Sequence, residues 1–107
     1  MTLHNPTDSD LVAAIQGTSE QREHALKTLF QTGIWQQIVV RYVEQHGGTT
    51  QDGKDVFQET MILFDRNIRA KTFDGRASLQ TYFVGIAKWY WLGQQRKNKK
   101  IVELDAA

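Results

Sequence analysis

The chain has 107 residues and a mass of 12.3 kDa, the size of one domain of about 100–150 residues, which excludes a second folded unit. A content of 40% hydrophobic and 23% charged residues excludes an intrinsically disordered chain, and the absence of cysteine excludes disulfides, thiolate metal sites and a catalytic thiol. The net charge is +1, and neither an apolar run of about 18 residues nor a basic, apolar N-terminus occurs, so we expect a cytoplasmic protein with no membrane partner.

All predicted elements are helices, because apolar residues recur at intervals of about 3.6 and the single proline, Pro6, precedes them. A first short helix is predicted to begin near Asp8 or Asp10, either of which can cap it, and to stop at Gly17. Its apolar face carries Leu11, Ala14 and Ile15.

A long second helix is predicted to open at Thr18 and Gln21, which have the spacing of a capping box, and to end at Gly47 and Gly48. Its apolar positions are Ala25, Leu26, Leu29, Phe30, Ile34, Ile38, Val39, Tyr42 and Val43. The small and polar segment 47–53 is predicted to be a connecting loop.

A third helix follows this loop, with an apolar stripe formed by Val56, Phe57, Thr60, Met61, Phe64 and Ile68. Polar side chains lie largely outside the stripe, namely Asp55, Gln58, Glu59, Asp65 and Arg66. The segment 73–77 has turn chemistry, and Ser78 can cap a fourth helix. The apolar positions of that helix are Leu79, Tyr82, Phe83, Ile86, Ala87, Tyr90 and Leu92, and it is predicted to fray from Gln94 onwards. The sequence therefore predicts an all-α, compact bundle of about four helices over residues 1–100.

The charge is unevenly distributed along the chain. Residues 1–65 carry four cations and nine anions, whereas residues 66–100 carry nine cations and a single anion, Asp74. A cationic segment on an acidic domain is typical of a protein that binds a polyanion such as nucleic acid. The alternative is a solvated helix end with a basic tail.

Aromatic side chains favour the nucleic-acid interpretation. The fourth helix contains Tyr82, Phe83, Trp89, Tyr90 and Trp91, which cannot all face one core at about 100° per residue. Exposed rings beside Lys88, Arg96 and Lys97 suit a single strand, because unpaired bases stack on rings while cations hold the backbone. We expect base stacking by Trp89 or Trp91; the alternative is that both tryptophans cover the core.

No catalytic constellation is evident, so we expect a protein that is not an enzyme and needs no cofactor or metal. The three histidines, His4, His24 and His46, lack the spacing of metal ligands, and no phosphate-binding glycine loop occurs. Asp55 and Glu59 could pair on one helix face, but no basic or nucleophilic partner lies near them in the sequence.

Four stretches, in order, resemble region 2 of the bacterial sigma-70 superfamily, and most closely the extracytoplasmic-function sigma factors. Residues 10–17 are similar to the opening helix of the family and residues 30–43 to its long second helix. Residues 55–61, DVFQETM, are similar to the acidic D-x-x-Q-E motif, and residues 73–87 to the F-x-G-x-S-x-x-T-W-L-x-x-I-A run. The order and spacing of the four stretches together indicate this family more specifically than any single stretch does.

The resemblance implies a transcription-initiation factor that binds core RNA polymerase and recognises and melts the −10 promoter element. The clamp helices of the largest polymerase subunit would then contact Asp55, Gln58, Glu59, Asp65, Arg66 and Asn67. The −10 non-template strand would contact Arg69, Lys71, Phe73, Asp74, Gly75, Arg76, Ser78, Gln80, Tyr82, Lys88, Trp89, Trp91, Arg96 and Lys97. An anti-sigma factor is a further partner that the resemblance admits.

The chain departs from the family pattern in two places. Trp89 stands where the family usually has an asparagine that contributes to base choice, so the preferred −10 sequence is not carried over. We expect residues 101–107 to be the start of the interdomain linker, with no counterpart here of the family's second domain, which reads the −35 element; the chain is then either a fragment or a protein that works with one domain.

Three rival functions remain open at the level of sequence. The chain could be a single-strand nucleic-acid binder that never touches polymerase, or a degenerate sigma-like domain that only binds another protein. A small hydrolase is the third, and the absence of a catalytic constellation counts against it.

Overall fold

The computed structural model describes residues 6–105, and for residues 99–105 only the backbone. Within this part the chain forms five helices and no strand: α1 (Asp8–Ile15), α2 (Ser19–Phe30), α3 (Ile34–Gln45), α4 (Thr50–Arg69) and α5 (Leu79–Asp105). The all-helical prediction is confirmed. His4 lies outside the described residues. No helix among the described residues is long and apolar enough to cross a membrane.

The predicted long second helix is wrong, because the chain breaks between Phe30 and Ile34 into α2 and α3. Gly33 has a φ of 74°, a left-handed conformation that side-chain-bearing residues rarely adopt, and its N–H donates to the Phe30 carbonyl at 3.3 Å. The break lets Phe30 and Trp35 pack edge to face, with ring centres 5.5 Å apart. Both residues therefore contribute to one core from two helices.

The predicted start of α1 needs a correction. Thr7, and neither Asp8 nor Asp10, is the N-cap, and the Asp10 carboxylate completes a capping box with the Thr7 N–H at 3.0 Å. Asp8 instead accepts a hydrogen bond from the Leu79 N–H at 3.0 Å. Its negative charge therefore lies at the N-terminus of α5, where the helix dipole favours an anion. The predicted capping box of Thr18 and Gln21 is confirmed.

The predicted loop over 47–53 is shorter than expected, because α4 already begins at Thr50 with a capping box formed by Thr49 and Asp52. Gly53 is buried within the helix, against α3. A Cβ on Gly53 would lie 2.7 Å from the Val40 Cα, so the absence of a side chain permits the close approach of the two helices.

The core is an aromatic cluster surrounded by aliphatic side chains from all five helices. Phe64 and Phe83 are fully buried, with ring centres 5.4 Å apart, and Phe30, Trp35 and Phe57 pack around them. The aliphatic members include Leu11, Ile15, Val39, Val43, Val56, Ile68 and Leu79. Burial of this surface fixes which face of each helix remains outside.

The expected fraying from Gln94 does not occur, since α5 continues as a helix to Asp105. Its residues between Gln94 and Lys100 are mostly good helix formers, and Gln95 Nε2 donates to the His46 carbonyl at 2.6 Å. The predicted linker at 101–107 is helical as far as residue 105, and residues 106–107 lie outside the described part.

Candidate nucleic-acid and protein interface

Trp89 is the most exposed large apolar side chain among the described residues, at 71%. Its orientation follows from the core of α5, where every fourth residue is buried: Leu79, Phe83, Ala87 and Trp91. The helix start is fixed by Ser78, whose Oγ accepts a hydrogen bond from the Thr81 N–H at 3.1 Å, as the sequence predicts. The side of the helix that carries Trp89 therefore faces outwards.

Trp91 lies in the core, so its predicted role in base stacking is wrong. It is only 8% exposed, and its indole Nε1 donates to the His46 carbonyl at 3.1 Å. The burial of Trp91 was predictable from the sequence but was missed. Trp91 continues the four-residue spacing of Leu79, Phe83 and Ala87, which places it on the same side of the helix.

A groove of about 510 Å³ lies between the second half of α4 and the first half of α5. Arg66 and Asn67 line it from α4, and Thr81, Tyr82 and Trp89 from α5. Its volume falls within the range of about 300–1,000 Å³ that is typical of small-molecule sites, which is large enough for a nucleobase. Further lining residues, which the sequence did not indicate as binding residues, are Leu63, Ala77, Gly85 and Ile86.

Two residues that were predicted to contact polymerase line this groove instead. Arg66 and Asn67 were expected at a polymerase interface, but both contribute to the wall opposite Trp89. A guanidinium can bind a phosphate, and an amide can donate and accept hydrogen bonds at the edge of a base. The geometry thus brings an aromatic ring, a cation and an amide to one place.

The loop between α4 and α5 is organised by its own turns. Gly75 has a φ of 78°, and the Asp74 carboxylate accepts a hydrogen bond from the Arg76 N–H at 3.1 Å. Phe73 packs against Tyr82, with ring centres 4.8 Å apart, and both rings are half-buried. The Arg76 side chain is 89% exposed and pairs with Asp74 at 3.3 Å, so it projects from the tip of the loop.

The predicted cations do not share one surface. Arg96 and Lys97 are exposed on α5, and Lys71 is exposed after α4 with a left-handed φ of 61°. Lys88 points towards α3, where its Nζ lies 5.2 Å from the centre of the Tyr42 ring. It lines a second groove, between α3 and α5, and does not line the groove that contains Trp89. Gln80, another predicted contact, is exposed at the start of α5.

Asp65 is buried, so its predicted place at a protein interface needs a correction. Its carboxylate accepts hydrogen bonds from Arg22 Nε at 2.9 Å and Arg22 Nη2 at 3.1 Å, and pairs with Arg69 Nη2 at 3.1 Å. The hydrogen bond and the charge of Asp65 raise the pKa of Arg22 above its ordinary value. The cluster joins α2 to α4. It also engages the guanidinium of Arg69, a residue that was expected to contact DNA.

The outer face of α4 carries the other residues that the D-x-x-Q-E resemblance indicates. Asp55, Gln58 and Glu59 are all exposed, and Asp55 accepts a hydrogen bond from Gln51 Nε2 at 2.9 Å. Ile62, one turn further on, is 61% exposed. Sequence reasoning missed Ile62 because it lies outside the apolar stripe, among the polar positions on the opposite side of α4. We call Asp55, Gln58, Glu59 and Ile62 the α4 outer face.

No family model, curated protein or solved structure matches the chain. Among the described residues, no group of three or more histidine, aspartate or glutamate side chains could hold a metal ion.

Proposed function

We propose that this chain is a transcription-initiation domain, which docks on core RNA polymerase through the α4 outer face and captures the −10 promoter element as a single strand. The loop over residues 70–78 and the exposed side of α5 would hold the non-template strand. The proposal involves no covalent chemistry on a substrate.

The exposed indole of Trp89 is the observation that carries the proposal. An exposed ring of this size is unfavourable in water unless a partner covers it, and stacking of one base on an aromatic side chain contributes about 1–3 kcal/mol. Arg66 and Asn67 line the opposite wall of the same groove. A duplex offers no free base faces in its interior, so the groove suits unpaired bases better than paired ones.

The free energies of base flipping and base stacking determine when the domain can favour the open state of the DNA. Flipping a base out of a duplex costs a few kcal/mol, an amount comparable to the stacking free energy at one ring. Capture in the groove therefore favours the open state only where the DNA is already held nearby. Polymerase would hold it, and Arg76 at the loop tip would contact the displaced strand. We therefore expect the isolated domain to bind single strands weakly.

The α4 outer face supports the polymerase half of the proposal. An apolar side chain, Ile62, is surrounded by the polar groups of Gln58 and Glu59, which is the usual composition of a protein interface. None of these residues lines the groove that contains Trp89 and Tyr82. One domain could then contact polymerase and DNA at the same time.

Co-elution of the full chain with core RNA polymerase tests whether the α4 outer face docks on polymerase. We expect Glu59→Lys and Ile62→Glu each to weaken the association about tenfold or more, because each places a mismatched charge at the centre of the contact. Glu20→Lys, the same charge reversal on the exposed side of α2, is the matched control and should bind as the unmodified chain does. Equal binding by all variants would contradict docking through α4.

Binding of single strands without any association with core polymerase would instead favour a nucleic-acid binder of another kind. Trp89 and its groove support that second candidate equally well, since they do not involve the α4 outer face.

A further inference from the structure

Trp89 lies between two glycines of the same helix, Gly85 four residues before it and Gly93 four residues after it. Residues four apart are neighbours on the surface of a helix, so both glycines are neighbours of position 89. Both positions are exposed, and a Cβ added at either would meet nothing within 4 Å. No contact within the described structure therefore requires a glycine at either position.

Backbone conformation does not require these glycines either. The glycines with a positive φ in the described residues are Gly33, Gly47 and Gly75, so Gly85 and Gly93 have ordinary helical geometry. Glycine inside a helix is less stable than alanine, because it loses more backbone entropy on folding. The fold would therefore be more stable with alanine at both positions.

Open positions lie on the helix surface on the N-terminal and on the C-terminal side of Trp89. Helical side chains lean towards the N-terminus, so Trp89 leans towards the turn that contains Gly85, and a side chain at position 93 would lean towards the turn of Trp89. Both glycines thus remove a side chain that would otherwise crowd the ring.

We propose that Gly85, Trp89 and Gly93 form a stacking site in which the indole inserts between two consecutive bases of single-stranded DNA, one base on each face of the ring. The inference rests on the proposed function, because it takes the ligand of α5 to be a DNA strand.

Charge around the site favours a nucleic-acid strand over an apolar partner. Arg66 lines the groove with Trp89, and Arg96 lies seven residues after Trp89, on the same side of α5. The stretch of α5 from residue 79 to 98 contains no acidic residue, and of its three cations Lys88 points away towards Tyr42. Phosphates on either side of an inserted ring would therefore meet positive charge.

The test compares Gly85→Leu and Gly93→Leu with the unmodified chain, using a short fluorescein-labelled single strand of adenine and thymine. Each leucine covers one side of the ring, and we expect each to lower the affinity about fivefold or more, the loss that corresponds to one stacked base. Asn98→Leu adds the same side chain to the opposite side of α5 and should leave the affinity unchanged.

Alanine variants separate binding from folding. Gly85→Ala and Gly93→Ala are expected to raise the melting temperature while they lower the affinity, a combination that loss of structure cannot produce. In strands that carry abasic sites, removal of either of two adjacent bases should weaken binding by the unmodified chain.

Three results would overturn the inference. Full affinity of both leucine variants, with weaker binding by Trp89→Ala, would mean that the ring contacts a base on one side only, and the proposed function would stand. A lower molecular mass of Trp89→Ala than of the unmodified chain in light scattering, with unchanged DNA binding, would assign the exposed ring to contacts with a second copy of the chain. Absence of single-strand binding by the unmodified chain would overturn both the inference and the proposed function.

Discussion

Trp89 and Trp91 are two positions apart, and therefore about 200° apart around α5. Trp91 fills the space beside α3 and donates a hydrogen bond to the His46 carbonyl, whereas Trp89 faces solvent. The same residue type thus supports the fold at one position and is available for binding at the other. Composition alone could not separate the two, but the spacing of the buried residues on α5 could.

Alanine substitution at each tryptophan should give opposite results. Trp91→Ala removes a buried ring and is expected to lower the free energy of unfolding by about 3–5 kcal/mol. Trp89→Ala removes an exposed ring and should change it by less than about 0.5 kcal/mol. Urea unfolding followed by circular dichroism measures both values. Similar destabilisation by the two variants would show that Trp89 also supports the core.

Asp65 illustrates why some side chains could not be placed from the sequence. Its position beside the apolar stripe of α4 is ambiguous, and its burial depends on Arg22, which lies 43 residues earlier. A pairing over that distance leaves no periodic signal in either helix. The exposed positions of Asp55, Gln58 and Glu59 were predictable, because periodicity places them on the side of the helix away from the core.

Among the elements, the helix type and the caps at Thr18 and Ser78 were predictable, since capping residues and apolar spacing are local signals. The break between α2 and α3 was not, because Gly33 lies within a continuous run of helix-compatible spacing. The start of α4 was misplaced for a similar reason. Gly53 reads as a loop residue, but tertiary packing against Val40 keeps it inside a helix.

Gly53→Ala tests whether the approach of α3 to α4 depends on this glycine. A methyl group at 2.7 Å from the Val40 Cα must push the two backbones apart, so we expect a loss of about 1–3 kcal/mol in unfolding free energy. Lys54→Ala, an exposed neighbour on the same helix, serves as the control and should be nearly neutral. A stability gain for Gly53→Ala, which intrinsic helix propensity alone would give, would contradict the close packing.

Considered as a whole, the molecule separates two kinds of surface. The α4 outer face is acidic and amide-rich around an exposed isoleucine, whereas the groove and the outer side of α5 combine an aromatic ring with cations. The sequence indicated the charge separation through its acidic first part and cationic residues 66–100. It could not indicate that Lys88 turns towards Tyr42, because that position depends on how α3 packs against α5.

Equilibrium binding of the full chain to a −10-type single strand and to the matching duplex, each at several salt concentrations, is the most direct test of the central claim. We predict preference for the single strand, an affinity that falls with added salt as counterions are released, and a loss of about 5- to 150-fold in Trp89→Ala. Equal affinity for both forms of DNA, or full affinity of Trp89→Ala, would contradict strand capture by the exposed indole.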